Sequence, residues 1–233
     1  MPGIAENLIA VGARISAAGR NCGRGETPAR LLAVSKTWPA GSVREAFAAG
    51  QRAFGENYVQ EAVDKIDALR DLPIEWHFIG PLQSNKTRLV ANRFAWVHAV
   101  DRLKIAQRLS EQRDAHLPPL QVCLQVNVSG EASKSGVTPA GLPALAAAVA
   151  ALPRLTLAGL MCIPEAGADA ALLRSRFHQL AGLRDSLRPA LGLALDTLSM
   201  GMSDDLELAI AEGSTLVRVG SAIFGARARP GLS

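Results

Sequence analysis

Short apolar runs and longer stretches with helical spacing of apolar positions alternate along most of the chain. The runs at 31–35, 52–55, 75–80, 96–99, 120–128, 156–162, 196–199 and 216–220 read as strands. Between them, 42–49, 58–69, 85–91, 102–116, 139–151, 168–187 and 204–212 read as amphipathic helices. A further helix is expected over 4–18, ahead of the first strand, and a last one from Ser221. Strands that alternate with helices build a parallel sheet, because each helix supplies the crossover. Eight such strands close into a (β/α)₈ TIM barrel, here with an extra N-terminal helix. An open doubly wound sheet is the alternative. It would place a glycine-rich turn after the first strand, where this chain has Ser35-Lys36-Thr37-Trp38-Pro39. No repeat, low-complexity linker or domain boundary breaks the pattern, so residues 1–233 are expected to form one domain with a frayed tail at 227–233.

Composition narrows the class. The chain has 233 residues, 48% hydrophobic and 20% charged, enough for one well-filled core. The net charge of +4 is scattered and aromatics make up 4%, which gives little support to nucleic-acid binding. Cys22, Cys123 and Cys162 are odd in number and far apart, which fits free thiols in a reducing compartment. No signal peptide is recognisable, and the alanine-rich run 144–151 is too short to cross a bilayer, so a cytoplasmic protein without membrane contact is expected. Among 25 basic residues only Lys36, Lys65, Lys86, Lys104 and Lys134 are lysines. An arginine cannot lose its proton and act as a nucleophile, so each retained lysine invites inspection.

Barrels place their ligands at the C-terminal ends of the strands and hold phosphates on the loops after strands seven and eight. Lys36 follows a buried strand, where burial favours the neutral amine that attacks aldehydes; the plainer reading is a lysine reaching into solvent. Asn57 ends strand two, as a hydrogen-bond partner for a ring hydroxyl or as an N-cap. His77 sits in an apolar strand and reads first as a satisfied core histidine. Gln83-Ser84-Asn85-Lys86 reads as a turn and helix cap. After strand seven comes Ser199-Met200-Gly201-Met202-Ser203, and after strand eight Gly220-Ser221. Small residues and helix starts suit a dianionic phosphate, although Ser203 and Ser221 are also ordinary caps. Alternation puts Arg218 and Gly220 on one face of strand eight; if Val217 and Val219 pack outward, Arg218 points into the barrel.

These stretches, with Phe54-Gly55-Glu56-Asn57-Tyr58, His77-Phe78-Ile79-Gly80-Pro81-Leu82-Gln83-Ser84-Asn85-Lys86, Gln125-Val126-Asn127-Val128, Lys134-Ser135-Gly136, Gly159-Leu160-Met161 and Arg218-Val219-Gly220-Ser221-Ala222-Ile223-Phe224-Gly225, resemble the pyridoxal phosphate homeostasis protein family. The likeness runs from about residue 4 to 227. That family is similar in fold to the barrel domain of alanine racemase and bacterial ornithine decarboxylase. The resemblance implies that Lys36 carries pyridoxal 5′-phosphate (PLP) as an internal aldimine. It also implies that Met202, Ser203, Gly220 and Ser221 surround the phosphate, that Arg218 faces the pyridine nitrogen and that Asn57 lies near the ring. Gly220-Ser221 stands where Gly-Thr is common, which keeps the hydroxyl.

Racemase-like relatives add a second domain and a tyrosine acid–base group. The pattern here ends after one barrel, and the only tyrosine is Tyr58. An arginine at the pyridine nitrogen also weakens the cofactor as an electron sink. The expectation is therefore a monomeric, non-enzymatic PLP protein that buffers the cofactor or delivers it to apo-enzymes; an amino-acid racemase or decarboxylase is the alternative. Lys134, in the loop 129–136, is a candidate for holding PLP in transit, or simply a solvated lysine.

Overall fold

The computed structural model describes residues 3–131 and 134–225. Parts of two expectations, the tail at 227–233 and positions 132 and 133 of the loop 129–136, lie outside the described residues. Strands β1 (Arg30–Val34), β2 (Ala53–Glu56), β3 (Glu75–Phe78), β4 (Trp96–Val100), β5 (Leu120–Gln125), β6 (Leu155–Met161), β7 (Thr197–Ser199) and β8 (Leu216–Val219) pair in chain order into a closed barrel. Every pairing is parallel, and β8 returns to β1 with Leu32 opposite Arg218. The expected (β/α)₈ barrel is the fold.

Alternation along the strands builds two apolar layers. Leu32, Val34, Ala53, Ile79 and Leu216 pack together inside the barrel, and Ala99, Cys123 and Met161 form a second inner cluster. The intervening Ala33, Phe54, Phe78, Val217 and Val219 belong to the larger cluster shared with the helices. Each such valine or phenylalanine side chain, fully buried, contributes roughly 1.5–3 kcal/mol. At Gly159 a side-chain carbon would sit 1.8 Å from the Thr197 carbonyl, so the β6–β7 approach requires glycine.

The helices are α1 (Ile4–Asn21), α2 (Ala40–Ala48), α3 (Val59–Ala68), α4 (Thr87–Arg93), α5 (Leu103–Gln112), α6 (Leu142–Ala150), α7 (Ala170–Leu191), α8 (Leu206–Ala211) and α9 (Ser221–Phe224). Several boundaries differ from the sequence reading. The run at 120–128 leaves the sheet after Gln125, where Val126 bridges to Val137 instead. The helix expected over 102–116 stops at Gln112, where the backbone of Arg113 turns extended and its guanidinium donates to the carbonyls of Ala91, Phe94 and Pro118. α7 continues past Pro189 and ends at Gly192 in the left-handed region. α8 begins at Leu206, later than the expected start at 204.

The extra helix α1 packs on α8 and α9, the two helices that follow the last strands. Asn7 donates to the Ile223 carbonyl at 2.8 Å. Arg14 donates to the Ser203 carbonyl at 2.9 Å and pairs with Glu207 at 2.7 Å. No helix among the described residues is long and apolar enough to cross a membrane.

Candidate functional site

Beyond Val34, the inward phase of β1 reaches Lys36. Its side chain lines a cavity of about 250 Å³ at the C-terminal ends of the strands. The same cavity is lined by Asn57, Met202, Ser203, Arg218, Gly220 and Ser221, so all seven residues singled out in the sequence come together. Trp38, Ile79, Ile163 and Asp204 complete much of the wall and were not expected there. Among the described lining residues the ionisable side chains are Lys36, Asp204 and Arg218.

The backbone on both sides of Lys36 is held by a charged cluster outside the barrel. Lys65 on α3 donates to the Ser35 carbonyl at 2.7 Å, to Glu56 at 2.7 Å and to Glu61 at 2.6 Å. Ser35 donates its hydroxyl to the same Glu56 oxygen at 2.6 Å. The Thr37 N–H donates to Glu61 at 2.5 Å, and Thr37 has a φ of 69°. A threonine in the left-handed region persists only where its surroundings enforce it. Glu56 is fully buried, and burial pushes its carboxyl up against the downward pull of Lys65. Sequence reading missed this cluster, although Lys65 stood out as one of five lysines.

Two capping readings are corrected. The N-cap of α3 is Tyr58, and Asn57 leaves its side-chain Oδ1 buried with no protein partner. Asp205 caps α8 and Gly220 caps α9, so neither Ser203 nor Ser221 is an N-cap. Instead the Ser221 hydroxyl donates to that of Ser203 at 3.1 Å across the two loops. Helices of six and four residues offer little macrodipole, so attraction for an anion here rests on hydroxyls, N–H groups and nearby cations. The loop after β7 turns at Gly201, with a φ of 93° and room for no side chain: a Cβ would lie 2.6 Å from Ala209.

Arg218 points inward as expected and is 4% exposed. It donates to the Ser199 carbonyl at 2.5 Å, the Ser199 hydroxyl at 2.9 Å and the Cys162 carbonyl at 2.9 Å. Burial pushes the Cys123 and Cys162 thiols up to about 12, so neither is a nucleophile near neutral pH. His77 is a satisfied core histidine, held between His98 and Glu75. Ser84–Lys86 forms a 3₁₀ turn leading into α4. Lys134 pairs with Glu131 at 3.9 Å and is not among the residues that line the cavity.

A closed parallel barrel with a lysine at the end of strand one and small-residue loops after strands seven and eight defines the alanine racemase N-terminal type of domain. The model of that family, the alanine racemase N-terminal domain, matches residues 7–228. A pyridoxal phosphate homeostasis protein of Pseudomonas aeruginosa is 64% identical over 227 residues, 97% of each chain. The protein of the same description from Escherichia coli is 56% identical over 234 residues. The structure of PipY from Synechococcus elongatus with PLP bound is 40% identical, covers 95% of this chain and superposes with a TM-score of 0.85. An alanine racemase from Corynebacterium glutamicum, 19% identical with a TM-score of 0.72, shares the fold. The chain belongs to the pyridoxal phosphate homeostasis protein family.

Proposed function

We propose that this protein is a non-enzymatic PLP carrier, a monomer of one domain in the cytoplasm, that buffers the cofactor or delivers it to apo-enzymes. The observation that carries the reading is the convergence of Lys36, Asn57, Met202, Ser203, Arg218, Gly220 and Ser221 on one cavity, where Asn57 Oδ1 is a buried acceptor without a protein partner. A buried orphan acceptor is costly unless something donates to it, and the PLP ring hydroxyl is such a donor. Lys36 would hold the cofactor covalently, the Ser203 and Ser221 hydroxyls would bind its phosphate, and Arg218 would face its ring nitrogen. PLP supplies an aldehyde that amines capture reversibly. The cavity is slightly smaller than the roughly 300–1,000 Å³ usual for small-molecule pockets, in keeping with a one-ring ligand. The relatives described as PLP homeostasis proteins, and PipY with PLP bound, support the same reading.

Carriage is favoured over turnover by the ionisable lining. Among the described lining residues, Asp204, which is exposed, is the one ionisable group beside Lys36 and the permanently charged Arg218, whereas racemisation needs two acid–base groups facing the substrate from opposite sides. Unpaired Cys22, Cys123 and Cys162 suit a reducing compartment. The test is an absorption spectrum of protein incubated with PLP, before and after borohydride. A visible band that borohydride bleaches while fixing the cofactor to the protein is expected in the wild type, and both band and fixed cofactor are expected to be missing in Lys36→Ala. A trappable band in Lys36→Ala would move the attachment to another lysine, and turnover of any member of an amino-acid panel would overturn the non-enzymatic reading.

A further inference from the structure

Below the cavity, a file of polar side chains crosses the inside of the barrel from Arg218 to its opposite end. Arg218 Nη1 lies 2.9 Å from Ser199 Oγ. Ser199 Oγ lies 2.8 Å from His98 Nδ1. His98 Nε2 lies 2.9 Å from His77 Nδ1, and His77 Nε2 lies 2.8 Å from Glu75 Oε1. Glu75 opens β3 at the N-terminal end of the barrel, where its side chain is 36% exposed and pairs with Arg30 at 2.6 Å.

The two ends of the file fix the direction of every bond between them. A guanidinium only donates and a carboxylate only accepts. The His77 and Arg30 contacts hold the Glu75 carboxyl down to about 2, so it is ionised at neutral pH. His77 therefore carries its proton on Nε2 and donates a hydrogen bond through it to Glu75, which leaves Nδ1 to accept from His98 Nε2. His98 Nδ1 in turn accepts from the Ser199 hydroxyl, whose oxygen accepts from Arg218. This arrangement needs both rings neutral, and burial favours that: it pulls His77 down against the upward pull of Glu75, and His98 well down, with His77, Arg218 and Arg30 adding to the effect on His98. Trp96 stacks on His77 with centroids 5.3 Å apart and planes within 5°, which holds the ring in place. Asp205, in the loop after β7, acts on Arg218 through space, while the acceptors bonded to Arg218 are two carbonyls and Ser199.

We propose that this file acts as one polarised unit through which Glu75 fixes the guanidinium of Arg218, and thereby the charge presented to the ring nitrogen of PLP. Glu75, His77, His98 and Ser199 are positioning residues. The link to PLP rests on the carrier reading above; the ordering of Arg218 does not. Hydrogen-bonded chains in a dry interior polarise one another, so a change at the remote end is felt at the other.

The test uses Glu75→Ala, the nearly isosteric Ser199→Ala, and Arg30→Gln, which removes the exposed neighbour of Glu75 and leaves the file intact. In cofactor-free protein, side-chain ¹⁵N spectra at neutral pH are expected to show His77 and His98 as neutral rings protonated on Nε2. Arg218 is expected to give separate, slowly exchanging Nη–H signals that collapse in Glu75→Ala and Ser199→Ala but not in Arg30→Gln. In loaded protein the same two variants are expected to shift the ring ¹⁵N resonance of labelled PLP and to weaken its retention about two- to tenfold. Unchanged Arg218 signals in Glu75→Ala, or a charged His98 in the wild type at neutral pH, would overturn the proposal. Failure of the wild type to take up PLP at all would instead overturn the carrier reading, and the Arg218 spectra would still decide the file.

Discussion

Replacing Lys65 by methionine removes the cation from a pair whose other member, Glu56, is fully buried. Methionine fills much of the same volume, so the loss is mainly electrostatic. A buried ion pair broken on one side leaves an uncompensated charge, and such changes destabilise by about 3–5 kcal/mol. For a chain of this size that is a fall in Tm of about 6–20 °C. The loss depends on pH. Burial already sets the folded Glu56 carboxyl above its ordinary value. A carboxyl raised in the folded state is bound more firmly by protons there than in the unfolded chain. Its effect therefore favours folding at low pH and turns against it as pH climbs from the ordinary carboxylate range through the raised value. Without Lys65, which pulls that value down, the window widens upward. Lys65→Met should be far weaker than wild type at neutral pH and approach it under mildly acidic conditions. Guanidinium unfolding at several pH values measures this as a shift in midpoint at unchanged slope. Adding Glu56→Gln should recover most of the loss. A Lys65→Met deficit under about 0.5 kcal/mol, or one that does not vary with pH, would refute the argument that Glu56 is charged and dependent on Lys65.

Ser203→Ala and Ser221→Ala should each weaken retention of PLP more than of pyridoxal, by the roughly 1.5–3 kcal/mol of a hydrogen bond to a charged group, or about ten- to a hundredfold; equal losses for both ligands in a binding titration would place these hydroxyls away from the phosphate. Gly201→Ala should lower stability by about 1–3 kcal/mol from the backbone conformation alone, with the clash against Ala209 adding to it; an unchanged Tm would show that the loop relaxes freely. Lys134→Ala should leave PLP content unchanged, since the residue is outside the cavity wall; slower activation of an added apo-enzyme at equal loading would give Lys134 a part in passing the cofactor on.

The barrel was legible because its signal is repetitive: each apolar run is bounded by helical spacing, and errors at single boundaries do not change the strand count. The site was legible because barrel geometry says which end to inspect, and Lys36, Arg218 and Gly220 are in phase with their strands. The capping alternative at Asn57, Ser203 and Ser221 fails, and sequence could not separate it from the site reading, because a polar residue before a helical pattern looks the same whether its side chain turns back to the helix or outward to a cavity. The Lys65 cluster was invisible for another reason. Its members come from the loop after β1, from β2 and from α3, and an i,i+4 pair such as Glu61 and Lys65 reads in sequence as an ordinary solvated helix face. His98 repeats the setting of His77 in the next strand, polar within an apolar run, and that repetition was the available signal for a shared inner layer.

The seat of α1 has a consequence for how the chain is made. The helix leaves the ribosome early, yet its hydrogen bonds go to carbonyls 216 and 189 residues later. At about 5–20 residues per second, it waits roughly 10–40 s for the segment that will cover it. Throughout that interval α1, whose Val11 and Ile15 end up buried, lacks the α8 and α9 on which it packs, and β1 has a bare edge where β8 will close the ring. A nascent chain in this state is a natural client for chaperones. No ligand of the cavity can help at that stage, because the loops that would hold it are among the last residues to be synthesised. Birth of the protein and loading of its cavity are therefore separate events, and anything that stalls translation before β8 leaves a molecule that is both sticky and empty-handed.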